Sequence, residues 1–205
     1  LGAFVPEPEA VNFESVAQGD SHVWRATREF TLLGELLASV EWGALDVLVA
    51  DLPPGAERTV QIAEFLGRNA AFVLVTIPSD LARGVVARSL AGLRKTPNRV
   101  LGYIENMSGY FCADCGVNRP LFPSTAAVDL PIDCLGRVPF DPRLAEASDR
   151  GATELPEGPV GAALLAIEVL YRDDFESEAL VPAVLASVVA YSVVILIFGE
   201  STLFG

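Results

Sequence analysis

Lysine is almost missing from this chain: Lys95 is the only one in 205 residues, and 14 basic residues face 27 acidic ones for a formal charge of −13. With no basic footprint to neutralise phosphates, a nucleic-acid-binding surface is excluded. Lys95 lies in Leu93-Arg94-Lys95-Thr96-Pro97 with no glycine-rich loop ahead of it. A backbone cradle for phosphate closed by a lysine is therefore not encoded in these residues. Cysteine is scarce and odd in number, three in all, which argues against a disulfide framework and leaves a metal or thiol role in a reducing compartment. There is one histidine, His22, and one methionine, Met107, while the first residue is Leu1. That beginning predicts a fragment or a processed product. What is plentiful is apolar: 51% of residues, with a mean hydropathy of +0.41. A disordered polyelectrolyte is thereby excluded, and one domain with a sizeable core is expected.

Along the chain, Trp24–Val40 carries Phe30, Leu32, Leu33, Leu36, Leu37 and Val40 at helical spacing, an amphipathic helix that ends near Gly43. Leu45-Asp46-Val47-Leu48-Val49-Ala50-Asp51 then reads as a buried strand, closed by Leu52-Pro53-Pro54-Gly55, through which neither helix nor strand continues. The alternation repeats with a helix over Thr59–Gly67, a strand over Ala71–Ile77, a helix over Leu81–Arg94 and strands over Arg99–Glu105 and Cys134–Val138. Continuously apolar strands alternating with helices predict an α/β fold with a mainly parallel sheet covered on both faces. Ligands of such sheets sit beyond the carboxyl ends of the strands. Attention therefore falls on Asp51 to Gly55, Thr76 to Asp80, Glu105 to Ser108 and Pro139 to Asp141.

Asp51 places a carboxylate at that edge with a stiff loop behind it, where phosphate-binding α/β proteins hold Mg²⁺ through water. An Asp ending a strand is equally the ordinary cap of the next helix. Cys112 and Cys115 form a Cys-x-x-Cys pair in a loop, a gap that lets both thiolates reach one metal, as in zinc knuckles and iron–sulfur sites. Two ligands are half a site. His22 is distant, Cys134 beside an apolar strand reads as a small core residue, and no second Cys-x-x-Cys exists. The missing ligands come most economically from the same motif in a second subunit related by two-fold symmetry. A redox dithiol, the competing use, favours a helix N-terminus, whereas Tyr110, Phe111 and Gly116 suggest a loop.

Six motifs in order complete the pattern: Trp24-Arg25; Trp42-Gly43-x-Leu45-Asp46 running to Asp51-Leu52-Pro53-Pro54-Gly55; Val75-Thr76-x-Pro78; Leu101-Gly102-x-Ile104-Glu105-Asn106-Met107-Ser108; Phe111-Cys112-x-x-Cys115-Gly116; and Leu135-Gly136-x-Val138-Pro139-Phe140-Asp141. Together, over about Val23 to Gly151, they resemble the Mrp/ApbC family of P-loop ATPases, MinD/ParA-like proteins that carry iron–sulfur clusters to apo-proteins. The resemblance implies ATP and Mg²⁺ as cofactors, with Asp51 on the metal and Asn106, Pro139 and Asp141 at the nucleotide. It also implies a homodimer in which Cys112 and Cys115 meet their symmetry mates around a [4Fe–4S] cluster. Several segments depart from the family. Its phosphate loop and the central strand before it would lie upstream of Leu1. Pro-Pro-Gly is followed here by Ala56-Glu57-Arg58 rather than Thr-Gly-Asp, Trp24-Arg25 by Ala26-Thr27 rather than Gly-Pro, and the glycine-rich segment after the cysteines is reduced to Phe122-Pro123-Ser124-Thr125. These departures imply that ATP hydrolysis is lost.

The C-terminal region changes character. After a Pro/Gly-rich stretch, a short helix over Ala162–Tyr171 and an acidic run from Asp173 to Glu178, Leu180–Phe198 holds 19 residues without a charge. As a helix it would span about 28 Å, close to the hydrocarbon thickness of a bilayer. A buried C-terminal helix or strand pair is the alternative, favoured by the β-branched content and the lack of flanking Lys or Arg anchors. Phe175 to Tyr191 resembles one membrane helix and its approach segment from chloride channel/antiporter proteins, although no selectivity motif accompanies it. The expected organisation is an ATPase-like domain over 1–155, a linker and acidic segment over 156–179 and a hydrophobic, transmembrane helix over 180–198. A cytoplasmic domain with membrane contact through the tail follows, and the rival function is a non-enzymatic membrane-anchored scaffold.

Overall fold

The computed structural model describes residues 31, 33–41, 47–52, 55–112, 114–122, 130–149 and 193–198. Two units divide the chain, Leu1–Trp42 with Phe204 and Gly43–Leu203 with Gly205. In the first, residues 31 and 33–39 are helical, inside the helix predicted over Trp24–Val40. The second unit holds the sheet and every candidate site residue.

Its elements are β1 (Val47–Leu52), α1 (Ala56–Leu66), a 3₁₀ turn (Gly67–Asn69), β2 (Ala70–Thr76), α2 (Asp80–Leu93), β3 (Arg99–Phe111), β4 (Asn118–Arg119), β5 (Cys134–Phe140), α3 (Pro142–Asp149) and β6 (Val193–Phe198). β2 is buried along its whole length, as expected of an apolar run with both faces covered. It pairs in parallel with β3, and β3 pairs in parallel with β5. α2 packs on β2 and α1 on α2. Gly92 permits the close approach of the two helices, since a Cβ there would lie 2.5 Å from Val60 Cγ2. Phe72, Leu74, Leu93, Ile104 and Val138 are fully buried, each contributing about 1.5–3 kcal/mol in transfer terms.

Four expectations need correction. Strand β3 runs to Phe111 rather than ending at Glu105, so Asn106 to Ser108 lie within it and not in a loop beyond it. The local pattern concealed a distortion: Met107 adopts a positive φ of 51°, and the register with β5 shifts between Asn106 and Tyr110. Strand β5 likewise extends through Pro139 to Phe140.

The sheet is also mixed rather than mainly parallel. Its strand order is β1-β6-β2-β3-β4, with β5 joined to β3, and β6 runs antiparallel to both its neighbours. β4 is antiparallel to β3.

The largest correction concerns the tail. Residues 193–198, the last six of the predicted 180–198 helix, are a strand. Val-Val-Ile-Leu-Ile-Phe is rich in the β-branched and aromatic side chains that favour strands, and β1 and β2 on either side give it two ladders of backbone partners. Residues 180–192 lie outside the described set, as do 156–179 with the predicted helix over Ala162–Tyr171. Among the described residues, no helix is long and apolar enough to cross a membrane.

Candidate functional site

Asp51 occupies the fifth of the six positions of β1, exposed, opposite Val194 of β6. Pro53 and Pro54 lie outside the described residues, but Gly55 leads into α1 with a φ of 138°. A glycine suits that backbone because side chains rarely tolerate it. Thr59 anchors the start of the helix, its backbone amide and its Oγ1 both donating to the Gly55 carbonyl at 3.1 and 2.9 Å. No side chain caps this helix, so Asp51 is not its cap. The exposed carboxylate lies near the carboxyl end of β1.

On the other side, register brings Thr76, Glu105 and Arg137 abreast on β2, β3 and β5, with Asn106 beside Val138. Glu105 is 5% exposed and accepts from Arg83 at 2.6 Å and Arg137 at 3.2 Å. Such a carboxylate is tolerable in the interior only because it is paired on both oxygens. Arg83 comes from α2, while Arg137 remains largely in solvent. Asn106 is buried, and its Oδ1 accepts from the Met107 amide at 2.8 Å. That bond supports the left-handed backbone at Met107 and commits one face of the amide group. Pro139 is buried beside it in β5.

Asp141 follows β5 and is 3% exposed. Its Oδ1 accepts from the Arg143 backbone amide at 2.9 Å, and the Arg143 guanidinium closes on both oxygens at 2.7–3.1 Å. Asp141 is thus the cap of α3, followed by Pro142 at the first helical position, a placement helix ends favour. Hydrogen bonding and charge from Arg143 hold its carboxyl below the ordinary value of 3.8 despite burial. The same guanidinium lies 5.6 Å from the Phe111 ring centre, and Tyr110 stacks on Phe140 at 6.3 Å. These contacts tie the end of β5 to the end of β3, from which the cysteine loop springs.

Cys112 and Cys115 sit in the tight connection between β3 and β4. Cys112 donates its amide to the Val117 carbonyl at 3.1 Å, and Gly116, with a φ of 67°, donates to the Cys112 carbonyl at 2.8 Å. Cys115 is exposed and Cys112 half-buried; neither is in a disulfide. The Cys115 backbone amide, the Cys115 side chain and the Asp114 amide, in that order, pull the Cys112 thiol below its ordinary value. No group of three or more His, Cys, Asp or Glu able to hold a metal occurs among the described residues, so the pair stands as two ligands. Cys134 is apart from it on β5, with its Sγ 3.6 Å from the Gly136 carbonyl, and hydrogen-bonds Tyr103. Burial first, and that bond second, push the Tyr103 hydroxyl up.

A family model described as ParA, the NUBPL iron-transfer P-loop NTPase, matches residues 9–169. This chain belongs to that family. It is 33% identical over 156 residues to an iron-sulfur cluster carrier protein of Saccharolobus solfataricus, covering 74% of this chain and 53% of the relative. It is 32% identical over 176 residues to the cytosolic Fe-S cluster assembly factor NUBP2 of Gallus gallus, covering 80% and 65% respectively. The chain therefore spans about half to two thirds of the length of these relatives. Among solved structures, the nucleotide-binding protein of Archaeoglobus fulgidus in complex with ADP superposes with a TM-score of 0.52 at 27% identity, over 69% of this chain and 59% of that one. A second family model, the voltage gated chloride channel, matches residues 157–205.

Within this NTPase family frame, Asp51 stands on one side of β6, and Asn106, Pro139, Asp141 and the cysteine pair on the other. Sequence reasoning missed Arg83, Arg137 and Arg143. The first two reach Glu105 across 22 and 32 residues, and no local pattern announces such pairings. Arg143 had a signal, because Asp141-Pro142 is a helix-start signature.

Proposed function

We propose that this chain is the cluster-holding part of an iron–sulfur cluster carrier, with Cys112 and Cys115 as the half-site. The single observation that carries the proposal is the Cys112–Cys115 turn, in which one thiol is exposed and the other is biased toward thiolate by neighbouring amides. Thiolate, not thiol, is the metal-binding form. Two thiolates leave a four-ligand cluster incomplete, so the reading requires a second copy of the chain related by a two-fold axis. The bridging [4Fe–4S] cluster is cargo, passed on to apo iron–sulfur proteins. The descriptions of the two relatives, a cluster carrier and a cluster assembly factor, support this assignment.

The nucleotide half of the family's chemistry fits less well. The ADP-bound neighbour and the exposed Asp51 carboxylate favour a nucleotide and Mg²⁺ at the sheet edge. Yet these residues contain no glycine-rich loop ending in lysine, and the place between β1 and β2 is filled by an antiparallel strand. Asp141 is already paired with Arg143, and one face of Asn106 is engaged by Met107. Within these 205 residues, Lys95 follows no glycine-rich loop that would aim it at phosphate for the electrostatic stabilisation that dominates phosphoryl transfer. We accordingly propose no hydrolytic step for this chain.

Anaerobic reconstitution with iron and sulfide tests the proposal. A brown protein whose colour is lost in Cys112→Ala and in Cys115→Ala is expected, with Cys134→Ala still coloured. Colourless protein, or colour that survives both substitutions, contradicts it. A membrane-anchored scaffold is the second reading, and the chloride-channel match over 157–205 favours it. The strand at 193–198 weighs against it, because those residues are removed from any 19-residue span.

A further inference from the structure

Two facts about β6 stand outside the family reading. It lies beyond residues 9–169, matched by the NTPase model, and it is nevertheless an interior strand of that domain's sheet. Val193 to Phe198 pair with Leu52 to Val47 on one side, and Val193 to Ile197 pair with Leu74 to Ala70 on the other. Because β6 opposes both neighbours, β1 and β2 are parallel to each other, like β2, β3 and β5. A parallel frame thus closes around one reversed interior strand.

The consequence for β1 is decisive. Among the described strands, β6 is its only partner. Among those strands, the one that carries Asp51 is hydrogen-bonded to the rest of the sheet through β6. Backbone donors and acceptors need partners when sheltered from water, and an open interior edge on β1 or β2 would template pairing with other chains. Hydrophobic, β-branched Val193–Phe198 satisfies both edges at once.

We infer that Val193–Phe198 is a complementing strand held in cis: the gap between β1 and β2 is a strand-binding site for this chain's own apolar tail, which docks β1 and fixes Asp51 at the sheet edge. It runs opposite to the strands it joins, and so fills the gap without supplying a phosphate loop at its carboxyl end. A strand from the segment 157–205, matched by a different family model, thus serves the sheet of the NTPase-like domain as a structural part.

Paired-cysteine crosslinking in the full chain, without detergent, tests this directly. Val49 faces Leu196 and Leu48 faces Ile197. Successive antiparallel pairs alternate between hydrogen-bonded and non-hydrogen-bonded geometry, so one of Val49→Cys/Leu196→Cys and Leu48→Cys/Ile197→Cys has the closer approach. Mild oxidation followed by peptide mapping is expected to link at least one pair within a single chain. The out-of-register control, Val49→Cys with Ile195→Cys, places its side chains on opposite faces and is expected to stay unlinked. In the unsubstituted chain, amide exchange at 193–198 should be as slow as in β2. Absence of linkage in both pairs, equal linkage in the control, linkage between chains, or tail amides exchanging at the open-chain rate would each overturn the assignment.

Discussion

The sheet has two sides that are held together differently. From β2 outward, β3 and β5 are joined by parallel pairing, by a fully buried apolar strand and by Glu105, which clamps Arg83 of α2 and Arg137 of β5. On the other side, among the described strands β1 pairs with the antiparallel strand β6 alone. The candidate residues divide along the same line. Asn106, Pro139, Asp141, Cys112 and Cys115 belong to the self-supported side, and Asp51 belongs to the side that depends on the tail. Cluster binding and nucleotide-edge geometry should therefore be separable by substitution.

The largest expected effect comes from breaking the self-supported side. Glu105→Ala removes the buried carboxylate that pairs the half-buried Arg83 guanidinium, at a cost of roughly 3–5 kcal/mol. Chemical denaturation should show this loss together with a weakened capacity for cluster reconstitution. Ile195→Pro attacks the other side by removing an amide from the middle of β6. A lost ladder bond with an unsatisfied acceptor is expected to cost about 1–3 kcal/mol. Amide exchange should rise in β1 far more than in β3 or β5, and reconstitution should survive. Equal loosening of both sides would break the comparison.

Much of the self-supported side is legible in the residues themselves. Ala71 to Val75 form an unbroken apolar run that a doubly covered strand explains, and the helix over Asp80–Leu93 follows from its spacing. Cys112 and Cys115 declare themselves by their gap. The rest depends on distance. The partners of Glu105 come from remote positions, and the extension of β3 past Glu105 rests on an unusual backbone angle at Met107 that no periodicity encodes. The lack of charge in the tail suits lipid and a protein core alike, and so predicts a membrane helix as readily as a buried helix or strand pair. Its β-branched side chains already pointed to a strand, but the place it fills is set by two edges more than a hundred residues upstream.

A smaller effect concerns the cap of α3. Asp141→Ala removes it and the Arg143 pair, at about 0.5–2 kcal/mol. The carboxyl is depressed below 3.8, so its contribution is complete above that value and is lost as pH falls through the lower, folded-state value. Denaturation midpoints in acid should show this loss, and Asp141→Asn should flatten it. The smallest effect on stability, within about 0.5 kcal/mol, is expected for Cys112→Ser at the surface turn. Reactivity gives the sharper measure there: Cys112 should alkylate at a pH below that of an ordinary thiol, and Cys115→Ala, which removes the side chain bonding to it, should move its reaction toward higher pH.

Native mass spectrometry of the anaerobically reconstituted full chain tests the central claim most directly. One cluster for every two chains is expected, with dimer and cluster lost together in Cys112→Ala. A cluster held by single chains, or a dimer that forms equally well without iron and without Cys112, would contradict a shared half-site.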